Sequence, residues 1–173
     1  MLVKLRLNIA DINNSFYQDF NLTLTLFEEE TGVDVMKKLF CISLFAHEDV
    51  DIDKEGPFSQ RPFLIRKSLT DEIVFAVEYR LVEDKLLKSF FNHSNSRKFV
   101  FFNQEEQESY IKKHKDIFFK YPHDSIRIEI EETALMDMDE NYFKRAKDTT
   151  VTIDGSEIYV NFEDLSLSGK IIE

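Results

Sequence analysis

From Val3 to Ile9 the chain alternates apolar and polar residues, Val3, Leu5, Leu7 and Ile9 against Lys4, Arg6 and Asn8. That is the period of a strand with one buried face. Beyond the turn-forming run Asp11-Ile12-Asn13-Asn14-Ser15, Phe20, Leu22, Leu24 and Leu26 alternate with Asn21, Thr23 and Thr25. Two long antiparallel strands joined by a short connection are predicted. The period then changes: Val35, Met36, Leu39, Phe40, Ile42 and Phe45 leave only Asp34, Lys37 and Lys38 as a polar face over 33–46. This predicts a helix largely buried against a sheet. The preceding Glu28-Glu29-Glu30 suits the positive end of its dipole.

After an acidic loop from His47 to Gln60, the stretch Arg61 to Phe91 reads as strand, turn, strand and helix. Leu64 and Ile65 lie in the first strand, and Thr70-Asp71-Glu72 makes the turn. The near-continuous apolar run Ile73 to Tyr79 predicts a strand covered on both faces. Leu86, Leu87, Phe90 and Phe91 share one face of a helix over 82–91, which Asn92-His93-Ser94-Asn95-Ser96 ends. Phe99 to Phe102 is another buried strand. Gln104 to Phe118 is an amphipathic helix with His114 as a packing residue on its apolar side.

Ile126, Ile128 and Ile130 mark a half-buried strand, and a helix is expected through Leu135, Met138, Tyr142 and Ala146. Asp154-Gly155 between TTVTI and SEIYVNF predicts a hairpin on a type I′ turn. Residues 163–173 read as a loosely attached tail. The expectation is one domain over 1–173, of α/β (α+β) class, with a mixed sheet flanked by helices.

Composition narrows the chemistry. Seventeen Phe and no Trp point to a core built on phenylalanine, and four Gly leave little for a glycine-rich phosphate cradle, so P-loop and Rossmann enzymes are disfavoured. Cys41 lies in the apolar run KKLFCISLFA and is expected to pack as a buried thiol. No segment approaches the ~20 apolar residues of a membrane span, and a soluble cytoplasmic protein is expected. The net charge of -11 argues against broad non-specific nucleic-acid binding. The charge is uneven, however: twelve acids face five bases from Ile126 onward, whereas Lys85 to Lys120 holds eight bases and four acids. A local basic face or a solvated helix rim would follow from that.

The run LNIADINNSFYQDFNLTLTLFEEET, with the following VMKKLFCISLFAHE, closely resembles the N-terminal half of the YaeQ family of bacterial proteins, and RKSLTDEI and IDGSEIYV continue the likeness. The resemblance implies a compact variation of the PD-(D/E)XK nuclease fold, a restriction-endonuclease-like architecture. In such enzymes acids on neighbouring strands, often with a Glu from the first helix, hold Mg²⁺ while a Lys orients the attacking water. Mg²⁺ takes hard oxygen ligands, generates the nucleophile and neutralises charge developing on phosphate.

Carried onto this chain, the resemblance places the helix-associated acid at Glu30 and a lysine at Lys67. The expected Pro-Asp pair falls on Pro62-Phe63 and the acid of the next strand on Val74. Two carboxylates are therefore missing. An unpaired buried carboxylate is very costly, whereas burying Phe63 or Val74 stabilises by roughly 1.5–3 kcal/mol each, so a filled-in site is expected. The alternative is migration of the ligands to Glu78, in the triplet Glu78-Tyr79-Arg80, with Asp71 or Glu72 as a second acid. Surface ion pairing is the plainer account of that triplet. The expected function is a non-catalytic, macromolecule-binding protein whose partner is nucleic acid or another protein, with no cofactor. The alternatives are a phosphodiesterase using Mg²⁺ or Mn²⁺ at Glu30 and Glu78 with Lys67, and a protein-interaction module with no nucleic acid.

Overall fold

In the computed structural model, residues 1–56, 60–93, 96–131, 135, 138–139 and 141–172 are described. The chain forms two compact units, the first from Met1–His47 and Glu129–Ile171, the second mainly from Glu48–Ile128. Both are mixed α/β, and both are built on a sheet with parallel and antiparallel neighbours.

The first unit begins with β1 (Leu2–Asp11) and β2 (Phe16–Thr25), paired antiparallel without a break from Leu2↔Thr25 to Asp11↔Phe16. The alternation of β1 translates directly into burial at every second residue, so Val3, Leu5, Leu7 and Ile9 are almost wholly enclosed. Asp11 continues that inward series as a carboxylate. It is satisfied locally, accepting hydrogen bonds from the Asn14 backbone N–H at 3.1 Å and the Asn14 side chain at 2.7 Å, with His47 Nδ1 at 3.5 Å.

The first helix, α1 (Gly32–Phe45), has an enclosed face of Val35, Met36, Leu39 and Phe40. Its N-terminus is closed by Asp34, whose carboxylate accepts from the Thr31 N–H at 2.8 Å. Glycine is required at position 32, because a Cβ there would lie 2.1 Å from the carbonyl oxygen of Met138.

Alongside β1 run β8 (Lys147–Asp154) in parallel, then β9 (Glu157–Asn161) and β10 (Ser166–Ile172), giving the order β2-β1-β8-β9-β10. The C-terminal hairpin forms as expected, but its turn is not type I′. The loop residues are Gly155 and Ser156, and φ is positive at Gly155 alone, at 58°. The Asn13 side chain fixes this turn by donating to the Gly155 carbonyl and accepting from the Gly155 N–H, both at 2.8 Å.

Two further expectations fail in this unit. Residues 166–172 are not a loose tail but β10, registered on β9 from Ser166↔Asn161 to Lys170↔Glu157, with Leu167 enclosed. The short run SLSGKII alternates too few large apolar residues to announce itself, and its main-chain ladder supplies the rest. Of the helix expected through Leu135, Met138, Tyr142 and Ala146, Leu135 is helical, but Met138, Tyr142 and Ala146 are not. Asp139 instead gathers the N–H groups of Asn141 at 2.9 Å and Tyr142 at 3.0 Å into a side-chain-closed turn. Part of that predicted helix, at 136–137 and 140, lies outside the described residues.

The second unit contains β3 (Asp51–Ile52), β4 (Leu64–Lys67), β5 (Ile73–Glu78), β6 (Ser96–Phe102) and β7 (Ser125–Ile130), in the order β7-β6-β5-β4-β3. The parallel pairs β5·β6 and β6·β7 are central, and β4 and β3 add antiparallel to one side. The segment read as an acidic loop thus contributes a short strand, while 57–59 lie outside the described residues.

Over β6 pack α2 (Asp84–His93), α3 (Glu105–Lys113) and α4 (Lys115–Lys120), so the single helix expected over 104–118 divides at His114. His114 is enclosed and lies against the Tyr110 ring at 4.5 Å, a packing role. Leu87, Phe90, Phe91, Phe99, Phe101 and Phe118 form the core beneath, with edge-to-face contacts such as Phe99–Phe118 at 5.4 Å.

If β10 is an integral strand, Leu167→Ala should lower stability in urea unfolding by about 2–4 kcal/mol, the range for truncating an enclosed leucine. A loose tail would give a change within about 0.5 kcal/mol.

Candidate functional site

The second unit concentrates its buried charge where β5 ends. The strand is apolar through Val77, and its last residue, Glu78, is a carboxylate only 2% exposed. An ionised carboxylate in that position requires donors and a cation. Arg80, two residues on, provides both. Its Nε donates to Glu78 Oε1 at 2.8 Å and its Nη2 to Oε2 at 2.7 Å, a bidentate pair. The N–H groups of Tyr79 and Arg80 add two more bonds to Oε1 at 2.9 Å.

The other guanidinium donors reach across to the segment around β3. Nη1 meets the Gly56 carbonyl at 2.5 Å and Asp53 Oδ2 at 3.3 Å, and Nη2 also reaches the Arg61 carbonyl at 2.6 Å. All five N–H groups of Arg80 are thereby used. Burial alone lowers the pKa of this guanidinium, but the hydrogen bonds and charge of Glu78, with smaller contributions from Tyr79 and Asp53, more than reverse that and leave it above the ordinary arginine value. Asp53 is placed by backbone pairing, its N–H donating to the Phe63 carbonyl at 2.8 Å, and its second oxygen accepts from the Glu55 N–H at 3.2 Å.

Tyr110 of α3 adds a further polar group to this end of the unit. Its hydroxyl donates to the Val82 carbonyl at 2.7 Å, and the Val82 N–H in turn meets the Arg80 carbonyl at 2.9 Å. Burial first, then the negative charges of Glu78 and Asp84, raise the pKa of this phenol.

The sequence-derived candidates scatter. Phe63 is enclosed, its ring edge-on to Tyr79 at 4.9 Å, beside Asp53, and Pro62 is half-buried next to it. Val74 is only half-buried. Lys67 pairs with Ile73 across β4·β5, five residues before Glu78, which places the two about 16 Å apart at ~3.3 Å per residue. Its ammonium instead meets Asp71 at 2.7 Å across the β4–β5 turn, where Asp71 has φ 64°. Lys67, Asp71 and Glu78 therefore form no common site.

Glu30 belongs to the first unit. Its carboxylate accepts from the Phe27 N–H at 3.0 Å and from Lys38 at 2.5 Å, and that lysine, 4% exposed, also donates to the Thr25 carbonyl. The triple-Glu run thus supplies an internal ion-pair partner rather than a helix-dipole anion. Glu78 likewise is ion-paired, but the pair is buried rather than superficial.

A divalent cation does not fit these residues. Mg²⁺ needs carboxylate oxygens converging at about 2.0–2.1 Å. Here the oxygens of Glu78, Asp53 and Glu30 point at N–H groups of Arg80, Lys38 and the main chain. Among the described residues no three His, Cys, Asp or Glu side chains come together as a ligand set. The member that sequence reading missed is Asp53; nothing in the acidic run EDVDIDKEG separates it from its neighbours, and only the β3–β4 ladder brings it to Arg80.

Residues 1–170 match the YaeQ protein family, and the chain belongs to it. Its fold is similar to that of the YaeQ protein from Xanthomonas axonopodis pv. citri, with a TM-score of 0.81 at 20% identity over 99% of this chain and 96% of that one. The YaeQ protein from Pseudomonas syringae matches with a TM-score of 0.82 at 15% identity, over 99% and 93% of the two chains. No curated protein matches the chain.

Two outcomes follow from the cluster. Arg80→Met should cost about 3–5 kcal/mol in urea unfolding at pH 7, because two enclosed carboxylates lose their cation. Adding Glu78→Gln to that variant should recover part of the loss; no recovery would show that packing, not charge, carries it.

The raised Tyr110 pKa gives stability that is present below the phenol's ordinary value of 10.0 and is lost as pH rises through and above it. Tyr110→Phe should lose about 1 kcal/mol at neutral pH with the hydroxyl bond and show a shallower alkaline decline. An unchanged alkaline slope would place that titration elsewhere.

Proposed function

We propose that this YaeQ-family chain has a restriction-endonuclease-like fold that no longer performs phosphodiester cleavage, and that it acts in the cytoplasm by binding an acidic macromolecule, nucleic acid or protein. The observation that supports the loss of catalysis is the closure of Glu78 and Asp53 by the Arg80 guanidinium. A guanidinium stays charged at any working pH, so it serves neither as a general base nor as a group that yields its place by deprotonation. A metal at these two carboxylates would have to displace the three hydrogen bonds that the guanidinium makes to them. Lys67 is held by Asp71 on the turn, away from both carboxylates.

Binding is supported by the helical layer of the second unit. Lys85 and Lys88 of α2, Lys112 and Lys113 of α3, and Lys115 and Lys120 of α4 are exposed. Arg97 and Lys98 are drawn inward to Asp124 and the His123 carbonyl, so the basic stretch contributes six rather than eight outward cations. With a net charge of -11 on the chain as a whole to oppose it, this patch favours a local, salt-sensitive contact over wrapping of a long polyanion.

The test is a calorimetric titration of the full chain with Mn²⁺ and Mg²⁺, paired with a cleavage assay on single- and double-stranded DNA and RNA. No saturable metal binding and no cleavage are expected. Tight metal binding that is lost in Glu30→Ala, together with cleavage, would refute the proposal in favour of a phosphodiesterase.

A further inference from the structure

The helical layer of the second unit holds a feature that the Arg80 cluster does not involve. Between α3, α4 and the strands beneath them lies a cleft of about 680 Å³ lined by Phe101, Ile111, Phe118 and Phe119, with Lys112 and Lys115 on its wall. The apolar residues dominate the lining. Phe119 is 79% exposed, a large ring left in water at the cleft. Volume and composition match sites for small molecules, which are mostly apolar with a few placed polar groups, at ~300–1,000 Å³.

The polar side chains of the lining can all donate a hydrogen bond, and two of them are cations. Lys112 and Lys115 are exposed, and neither has an ion-pair partner among the described residues. Ser125, at the start of β7, lines the same cleft, and its hydroxyl is shielded from solvent without a hydrogen-bond partner among the described residues. A shielded hydroxyl without a partner is costly, and two ammonium groups at an apolar cleft favour an anion. Two ammonium groups and an unpartnered hydroxyl, set on an apolar floor, call for a ligand with an apolar body and an oxyanion head.

We infer that this cleft binds a small amphiphilic carboxylate, its chain or ring against Phe101, Phe118 and Phe119 and its carboxylate against Lys112 and Lys115. Inside the cleft, two cations on an apolar lining select a single small anion, whereas a polymer would meet the lysines from the outer surface. A monoanion meets both lysines while feeling the field of the -11 chain once, whereas a polyanion feels it at every phosphate. The mostly apolar lining also offers little to a phosphate backbone.

The experiment is a calorimetric titration of the full chain with decanoate, with decyltrimethylammonium as the same body bearing the opposite charge, and with acetate as the head alone. Saturable binding of decanoate only is expected. The double substitution Lys112→Glu/Lys115→Glu should weaken it by roughly tenfold or more. Phe119→Ser should weaken it independently, and neither change should shift the thermal midpoint, since all three side chains are exposed. Absence of decanoate binding at millimolar concentration would overturn the assignment, as would equal binding of decyltrimethylammonium, or unchanged affinity in the lysine double variant.

Discussion

A carboxylate at the end of a buried strand must have a permanent cation, and in this chain Arg80 is that cation. Its planar fork joins the end of β5 to the segment carrying β3 and to Arg61, pieces separated by up to 27 residues in sequence. Lysine could not replace it, because an ammonium has three donors and no fixed plane to match a carboxylate in two places. The backbone follows the charge: Tyr79 and Arg80 turn their N–H groups back onto Glu78, Val82 closes on Arg80, and Tyr110 of α3 caps Val82. The entry to α2 and the placing of α3 thus rest on one ion pair. The same solution recurs in the first unit, where enclosed Lys38 holds Glu30 and the carbonyl of Thr25.

These closures bear on function more than any missing acid does. If the chain has the nuclease-type fold we propose, a site emptied of carboxylates at Phe63 and Val74 could still be rebuilt from neighbouring acids, and Asp53 and Glu78 do stand near Phe63. What argues against rebuilding is that their lone pairs are already directed at nitrogen. A buried ion pair of this kind adds little net stability over an apolar replacement, yet removing one member is severe, so it is readily retained once formed.

Much of the fold was legible because periodicity is a local property. The alternation of β1 and β2, the buried face of α1, the doubly covered β5 and the Asp154-Gly155 hairpin all follow from spacing alone. The failures have one cause in common. Asp139 closing a turn, Leu167 pairing through β9, and the hairpin turn falling on Gly155-Ser156 with positive φ at Gly155 alone depend on partners that the local sequence does not name. The site was less legible still. Glu78-Tyr79-Arg80 was visible as a triplet, but whether it is solvated or enclosed depends on Asp53, Gly56 and Arg61, which the chain delivers only through the β3–β4 ladder.

The most direct test is a crystal structure determined in a high concentration of Mn²⁺, with anomalous scattering used to locate the ion. The account predicts the Arg80 guanidinium in place between Glu78 and Asp53, with no anomalous peak within coordination distance of either carboxylate. A manganese ion bound to Glu78, with Arg80 swung away, would contradict it.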